Sequence, residues 1–161
     1  MFKSTFVLAA CLLFAAVGAS AAPVTGLKSG LFEPARVAPP IGLQGSDGKP
    51  FDLAKYRGKV VVLEFGYTHC TEVCPVSLAA LAEARKLLGA DAARLQVVFI
   101  TVDPARDTVA RLNGYLAHFD PSFIGVTGSA ARIDAVLKAY GIESAKRMAG
   151  GSEWLKRRRR R

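Results

Sequence analysis

From residue 41 onward, the spacing of apolar positions divides the chain into alternating strands and helices. Val60-Val61-Val62-Leu63-Glu64-Phe65 is a largely β-branched run between Gly58 and Gly66, which predicts a strand buried on both faces. Leu95 to Val102 predicts a second buried strand, stopped by Asp103-Pro104, and Phe123 to Val126 a short third one. Asp47-Gly48 between Leu43 and Phe51 has the composition of a tight hairpin turn. Leu112, Tyr115, Leu116 and Phe119 fall at i, i+3, i+4 and i+7, behind Asp107 or Thr108 as N-cap. Ile133, Val136, Leu137 and Tyr140 repeat that spacing behind Ser129, with Gly141 as the stop. A further helix is predicted from Pro75, whose missing N–H costs nothing in a first turn, to about Gly89, with Leu78, Leu81 and Ala82 inward. Strands alternating with helices imply an α/β fold with a parallel sheet and right-handed crossovers.

The first residues follow a different pattern. Lys3 precedes an unbroken apolar run from Phe6 to Val17, and Ala19-Ser20-Ala21 has the small-x-small form of a cleavage site. Residues 1–21 are therefore expected to be an export signal, removed in the mature protein. Thr5 to Ala22 is nearly long enough for an uncleaved anchor, but Gly18 and Ser20 interrupt it where a protease would cut. Leu8-Ala9-Ala10-Cys11 resembles a lipoprotein box but comes too early, ahead of most of the apolar run. Cleavage removes Cys11 and leaves Cys70 and Cys74. Residues 22–40, rich in Gly, Pro and small side chains, read as a linker before a domain over 41–151.

Composition refines this picture without changing it. A chain of 161 residues, 51% apolar and 22% charged, suits one ordinary domain and is not that of a disordered chain. The net charge of +9 suggests a polyanion binder until its position is considered. Without Lys3, Lys156 and Arg157 to Arg161, 15 basic residues remain against 13 acidic, so the body carries about +2. Residues 152–161 then form a basic tail. In an exported protein the nucleic-acid reading has little to act on.

The chemistry is concentrated in Gly66-Tyr67-Thr68-His69-Cys70-Thr71-Glu72-Val73-Cys74-Pro75. Two cysteines four positions apart sit where a buried strand gives way to a helix N-terminus. Free N–H groups and the helix dipole there favour thiolate, the form that binds metals and attacks disulfides. The spacing lets both sulfurs turn to one point, to bridge each other or to hold one ion. A purely structural disulfide would suit the compartment but would close almost no chain.

Phe65-Gly66-Tyr67-Thr68-His69-Cys70 with Val73-Cys74-Pro75 is followed by Phe99-Ile100-Thr101-Val102-Asp103-Pro104-Ala105-Arg106-Asp107-Thr108. Phe123-Ile124-Gly125-Val126-Thr127-Gly128 comes third. These motifs, in this order, resemble the Sco/SenC family from about Pro40 to about Gly151. The resemblance implies a thioredoxin-like fold in the bacterial periplasm, copper binding, and a role in assembling the binuclear copper centre of cytochrome c oxidase. Its partners would be the copper-accepting oxidase subunit and a thiol-reducing protein, with any membrane contact through an N-terminal anchor. Cys70 and Cys74 match the family's two thiolate ligands, and two thiolates suit soft Cu(I).

The resemblance also exposes a difference. The family completes its copper site with a later His, after a Gly-Gly-x-x-aromatic stretch. Gly150-Gly151-Ser152-Glu153-Trp154 enters that stretch and then runs into Lys156 and five Arg. No His matches, and the family's final β-hairpin and helix are expected to be missing; a shifted reading frame in GC-rich DNA would produce such an ending. His69 adjoins Cys70, but strand neighbours point to opposite faces, and His118 lies beside an inward helix stripe. Neither is expected to be a strong ligand. Asp103 and Asp107 are read either as shaping the electrostatics near the thiolates or as caps of a strand end and a helix, with capping preferred.

Two functions follow. The first is a copper-carrying assembly factor, which is a metallochaperone and not an enzyme. The second is a thiol–disulfide oxidoreductase that reduces the cysteines of the copper-accepting subunit. Three intervening residues favour the first, since thioredoxin-type enzymes space their cysteines by two. The surroundings of Cys70 do not resemble a peroxiredoxin motif.

Overall fold

Along the chain the regular elements are β1 (Gln44–Gly45), β2 (Val60–Gly66), α1 (Val73–Leu87), β3 (Leu95–Thr101), α2 (Val109–Ala117), β4 (Ile124–Thr127), α3 (Ala130–Ala139), β5 (Ile142–Met148) and β6 (Ser152–Arg158). They come from a computed structural model, which describes residues 32, 34–148 and 152–158. The chain divides into two units, Met1–Arg36 and Val37–Arg161, and every element above belongs to the second. The expected export signal, with Cys11, lies outside the described residues. Among the described residues no helix is long and apolar enough to cross a membrane.

β2, β3 and β4 pair in parallel, from Val60↔Leu95 to Gly66↔Thr101 and from Val98↔Ile124 to Ile100↔Val126. β1 adds antiparallel to β4, giving the order β1-β4-β3-β2. The fold is the expected α/β, thioredoxin-like one. β3 is central, and its alternation supplies both faces of the sheet. Val97 and Phe99 meet Leu78 of α1 and Leu112 and Leu116 of α2. Val98 and Ile100 turn the other way, toward Ile133, Val136 and Leu137 of α3.

The local signals act as expected at several points. Gly48 has φ 78°, and Gly45 N–H donates to Lys49 O at 2.8 Å, closing the Asp47-Gly48 turn. Thr108 is the α2 cap, its Oγ1 accepting from Arg111 N–H at 3.2 Å. Gly141 stops α3 at φ 66°. The end of the segment read as a linker is tied to α3, because Tyr140 Oη donates to Pro39 O at 2.6 Å.

Three features differ from the sequence reading. β2 lies at the sheet edge among the described residues, so Val60 is exposed and Val61 to Glu64 only half-buried. A β-branched run reports strand preference, not how many neighbours the strand has. α1 begins two residues before Pro75, which places Cys74 inside its first turn. Ser152–Arg158, read as a basic tail, forms β6 and pairs antiparallel with β5, from Ile142↔Arg158 to Met148↔Ser152.

Candidate metal centre

β2 ends at Gly66, whose carbonyl accepts from Val102 N–H at 2.8 Å. The chain then turns, with Cys70 N–H donating to Tyr67 O at 3.1 Å, and enters α1 behind Glu72. The Glu72 side chain makes no capping bond. The Cys70 sulfur does that work instead, accepting from Cys74 N–H at 3.4 Å. A helix start leaves N–H groups that need acceptors, and a sulfur four residues earlier is in reach of them.

The titration of Cys70 reflects this cradle. Burial pushes its thiol upward, but hydrogen bonds from the Cys74 thiol and from the backbone N–H groups of Cys74, Glu72 and Val73 outweigh it. Cys70 therefore sits below the ordinary thiol range. Both cysteines are thiols, Cys70 partly exposed and Cys74 buried. One reactive sulfur faces outward and a second stands behind it.

Glycine is required behind Cys74. A Cβ on Gly66 would lie 2.9 Å from Cys74 Sγ and 2.6 Å from Cε2 of Phe99, whose ring is fully buried. In the sequence Gly66 reads only as a strand boundary.

The loop is held from the other side by Asp107. This fully buried carboxylate accepts from Thr68 N–H at 3.0 Å, Thr68 Oγ1 at 2.6 Å and Thr101 Oγ1 at 2.6 Å. Thr68 Oγ1 in turn accepts from Arg111 Nε at 2.7 Å. Asp107 is thus not the α2 cap but the anchor of the cysteine loop, and a separation of 39 positions hides that from spacing rules. Asp103 is also buried; it pairs with Arg106, and its backbone N–H donates to Thr101 Oγ1 at 2.9 Å.

Two further side chains belong to this region. Glu64 of β2 accepts from Ser77 Oγ of α1 at 3.0 Å. Tyr115 of α2 packs in the cluster that contains Cys74, and its phenol is pushed up to about 12 by burial and by the negative charge of Cys74, Cys70, Glu64 and Asp107. Neither was a sequence candidate; Tyr115 reads as one more member of the apolar stripe of α2.

The histidines stay apart. His69 is exposed, with Nδ1 3.4 Å from Thr68 Oγ1. His118 is exposed beyond the end of α2, its Nδ1 2.6 Å from Gly114 O, and lines an open groove with Ala79, Glu83 and Phe119. Among the described residues no three His, Cys, Asp or Glu side chains converge into a metal cage. The donor set described is the two sulfurs.

A thioredoxin-like sheet with a thiol pair where a strand meets a helix N-terminus defines a class of proteins that handle thiolate chemistry. The family model described as SCO1/SenC matches residues 31–155, and the chain belongs to that family. It is 37% identical over 122 residues to the mitochondrial protein SCO1 homolog 1 of Arabidopsis thaliana, covering 75% of this chain and 36% of that relative. The structure of Bradyrhizobium japonicum ScoI with copper bound matches with a TM-score of 0.70 at 35% identity, covering 76% of this chain and 79% of the other. BsSco, described as a Sco-family cytochrome c oxidase assembly protein with a disulfide switch, matches with a TM-score of 0.54 at 25% identity, over 64% of this chain and 62% of that one.

Proposed function

We propose that this protein is a carrier of Cu(I), held between Cys70 and Cys74, and that it supplies the copper-accepting subunit of cytochrome c oxidase. The observation that carries the reading is the placement of the Cys70 sulfur at the start of α1, where it accepts from Cys74 N–H at 3.4 Å. Such a sulfur is poised as thiolate, and a second sulfur stands within hydrogen-bonding reach. Two soft donors without a nitrogen suit Cu(I), which accepts low coordination, far better than Cu(II), which prefers tetragonal sites with nitrogen ligands. Partial exposure of Cys70 lets copper leave toward a partner with a richer sulfur and imidazole set. Copper bound to Bradyrhizobium ScoI and the assembly role stated for BsSco support the cargo and the destination. Carriage takes place outside the cytoplasm, after export through residues 1–21.

The test is anaerobic competition for Cu(I) against a chromophoric chelator. The reduced chain should take up one equivalent, and Cys70→Ser or Cys74→Ser should abolish high-affinity uptake. Unchanged affinity in the double variant would overturn the reading. A second reading, thiol–disulfide exchange, is favoured by the pairing of a partly exposed sulfur, lowered in pKa, with a buried one. The Cys70 thiolate would attack a partner disulfide and release one partner thiolate, which takes up a proton. Cys74 would lose its proton, attack the mixed disulfide and displace the second. The pair ends oxidised, and the partner gains two electrons and two protons.

A further inference from the structure

The pairing register of β5 and β6 sorts the charges of this two-stranded ribbon by face. Residues directly opposite one another share a face, and so do alternate residues along each strand. On one face Glu143 lies opposite Arg157 and Arg147 opposite Glu153, so each of the two acids stands across from a base. The other face receives Lys146 opposite Trp154, Ser144 opposite Lys156 and Ile142 opposite Arg158. It carries three bases, and no acid of the ribbon falls on it among the described residues. Trp154 is the single tryptophan of the chain, and it stands two positions from Lys156 on the same strand. Ile142 packs against the core cluster, which roots the ribbon in the domain. Lys146 is four residues farther along, at about 13 Å by the rise of an extended strand.

Three bases on one face, with no acid of the ribbon to offset them, attract a polyanion. A β-ribbon can enter the major groove of DNA, but the export expected from residues 1–21 takes the chain away from nucleic acid and across a membrane. The tryptophan points the same way, because its amphipathic ring favours the headgroup level of a bilayer. We propose that this face of the β5–β6 ribbon docks on a bilayer surface rich in anionic phospholipid. Lys146, Lys156 and Arg158 supply the charge, and Trp154 supplies the interfacial ring. Each base near such a surface favours binding by about fivefold. The cysteine pair takes no part in this docking, so the proposal stands apart from the copper reading.

The full chain is mixed with vesicles of phosphatidylglycerol and, separately, of phosphatidylcholine, and the emission of Trp154 is followed. The apolar run Phe6 to Val17 meets the same acyl chains in both, so the difference between the two lipids is what counts. At about 0.1 M NaCl the emission should shift to the blue, and be quenched by brominated acyl chains, on phosphatidylglycerol alone. At about 1 M NaCl, where the screening length falls to about 3 Å, both effects should vanish. An equal shift on phosphatidylcholine, no shift on phosphatidylglycerol, or a shift that survives high salt would overturn the proposal. A DNA duplex that shifts the emission at a lower phosphate concentration than phosphatidylglycerol does would assign the face to nucleic acid, and would overturn it too. Lys146→Gln/Lys156→Gln should weaken the phosphatidylglycerol titration about 25-fold, two factors of about five. Arg147→Gln/Arg157→Gln removes the same charge from the balanced face and should weaken it clearly less. An equal loss in the two variants would show that net charge alone matters and would overturn the assignment to one face. Unchanged melting temperatures would show that both variants keep the fold, and the lipid and salt comparisons decide the proposal without any variant.

Discussion

Removing the Asp107 carboxylate should unfasten the cysteine loop from the sheet, and its size can be worked from the hydrogen bonds. Asp107→Ala leaves three donors without their acceptor, namely Thr68 N–H, Thr68 O–H and Thr101 O–H. A buried donor left unsatisfied costs about 1–3 kcal/mol. The two hydroxyls can rotate, and Thr68 Oγ1 already lies 3.4 Å from His69 Nδ1, so they recover part of the loss. The backbone N–H of Thr68 cannot rotate. The expected cost is therefore about 3–5 kcal/mol, a large share of the roughly 5–15 kcal/mol that holds a domain together. Asp107→Asn keeps the shape and an acceptor oxygen, and should cost about 1–2 kcal/mol. Urea unfolding of the reduced, metal-free chain measures both, with an unchanged m-value showing that the transition stays comparable. A double-mutant cycle with Thr68→Val should give a coupling of about 1 kcal/mol or more, because the two residues share bonds. A loss below about 1 kcal/mol for Asp107→Ala, or additive behaviour with Thr68→Val, would refute the anchoring role.

Other consequences follow from the same geometry. Gly66→Ala places a methyl against the Phe99 ring and Cys74 Sγ and should destabilise by about 1–3 kcal/mol, measured by the same unfolding assay. Because Cys70 titrates lower in the folded than in the unfolded chain, its contribution is present above the unfolded thiol range and lost as pH falls through the folded value. The reduced chain should thus gain stability as pH rises toward about 8.5, and Cys70→Ser should flatten that rise. Tyr115 has the opposite sign: with its phenol raised from 10.0 to about 12, its contribution is complete below 10.0 and is lost as pH rises through that window. Phenolate absorbance should show one tyrosine titrating late, and Tyr115→Phe should remove that component.

The frame of the fold was legible because its signals are local. β3 is an apolar run ended by Asp103-Pro104, and α2 and α3 carry full apolar stripes, with Thr108 and Ser129 at their caps. β5 and β6 were not read, since Ile142-Glu143-Ser144-Ala145-Lys146-Arg147-Met148 alternates poorly and the arginine run looks like a solvated tail. The edge position of β2 depends on pairing, which a strand's own residues do not encode. At the site the cysteines were legible from their place at a strand-to-helix junction. Asp107 was named near the thiolates but read as a cap, and Glu64 and Tyr115 were not seen, because each reaches this region through the tertiary fold. Tyr115 is the instructive case: its ring obeys the helical period, and it packs against the cluster that holds Cys74.

The central claim is that two sulfurs of this chain hold Cu(I), and X-ray absorption on the copper-loaded, reduced protein tests it most directly. The account predicts a Cu(I) edge with a first shell of the Cys70 and Cys74 sulfurs and no histidine nitrogen, since His69 and His118 stay apart from the pair. A first shell containing imidazole nitrogen, or copper that remains bound in the Cys70→Ser/Cys74→Ser variant, would contradict it.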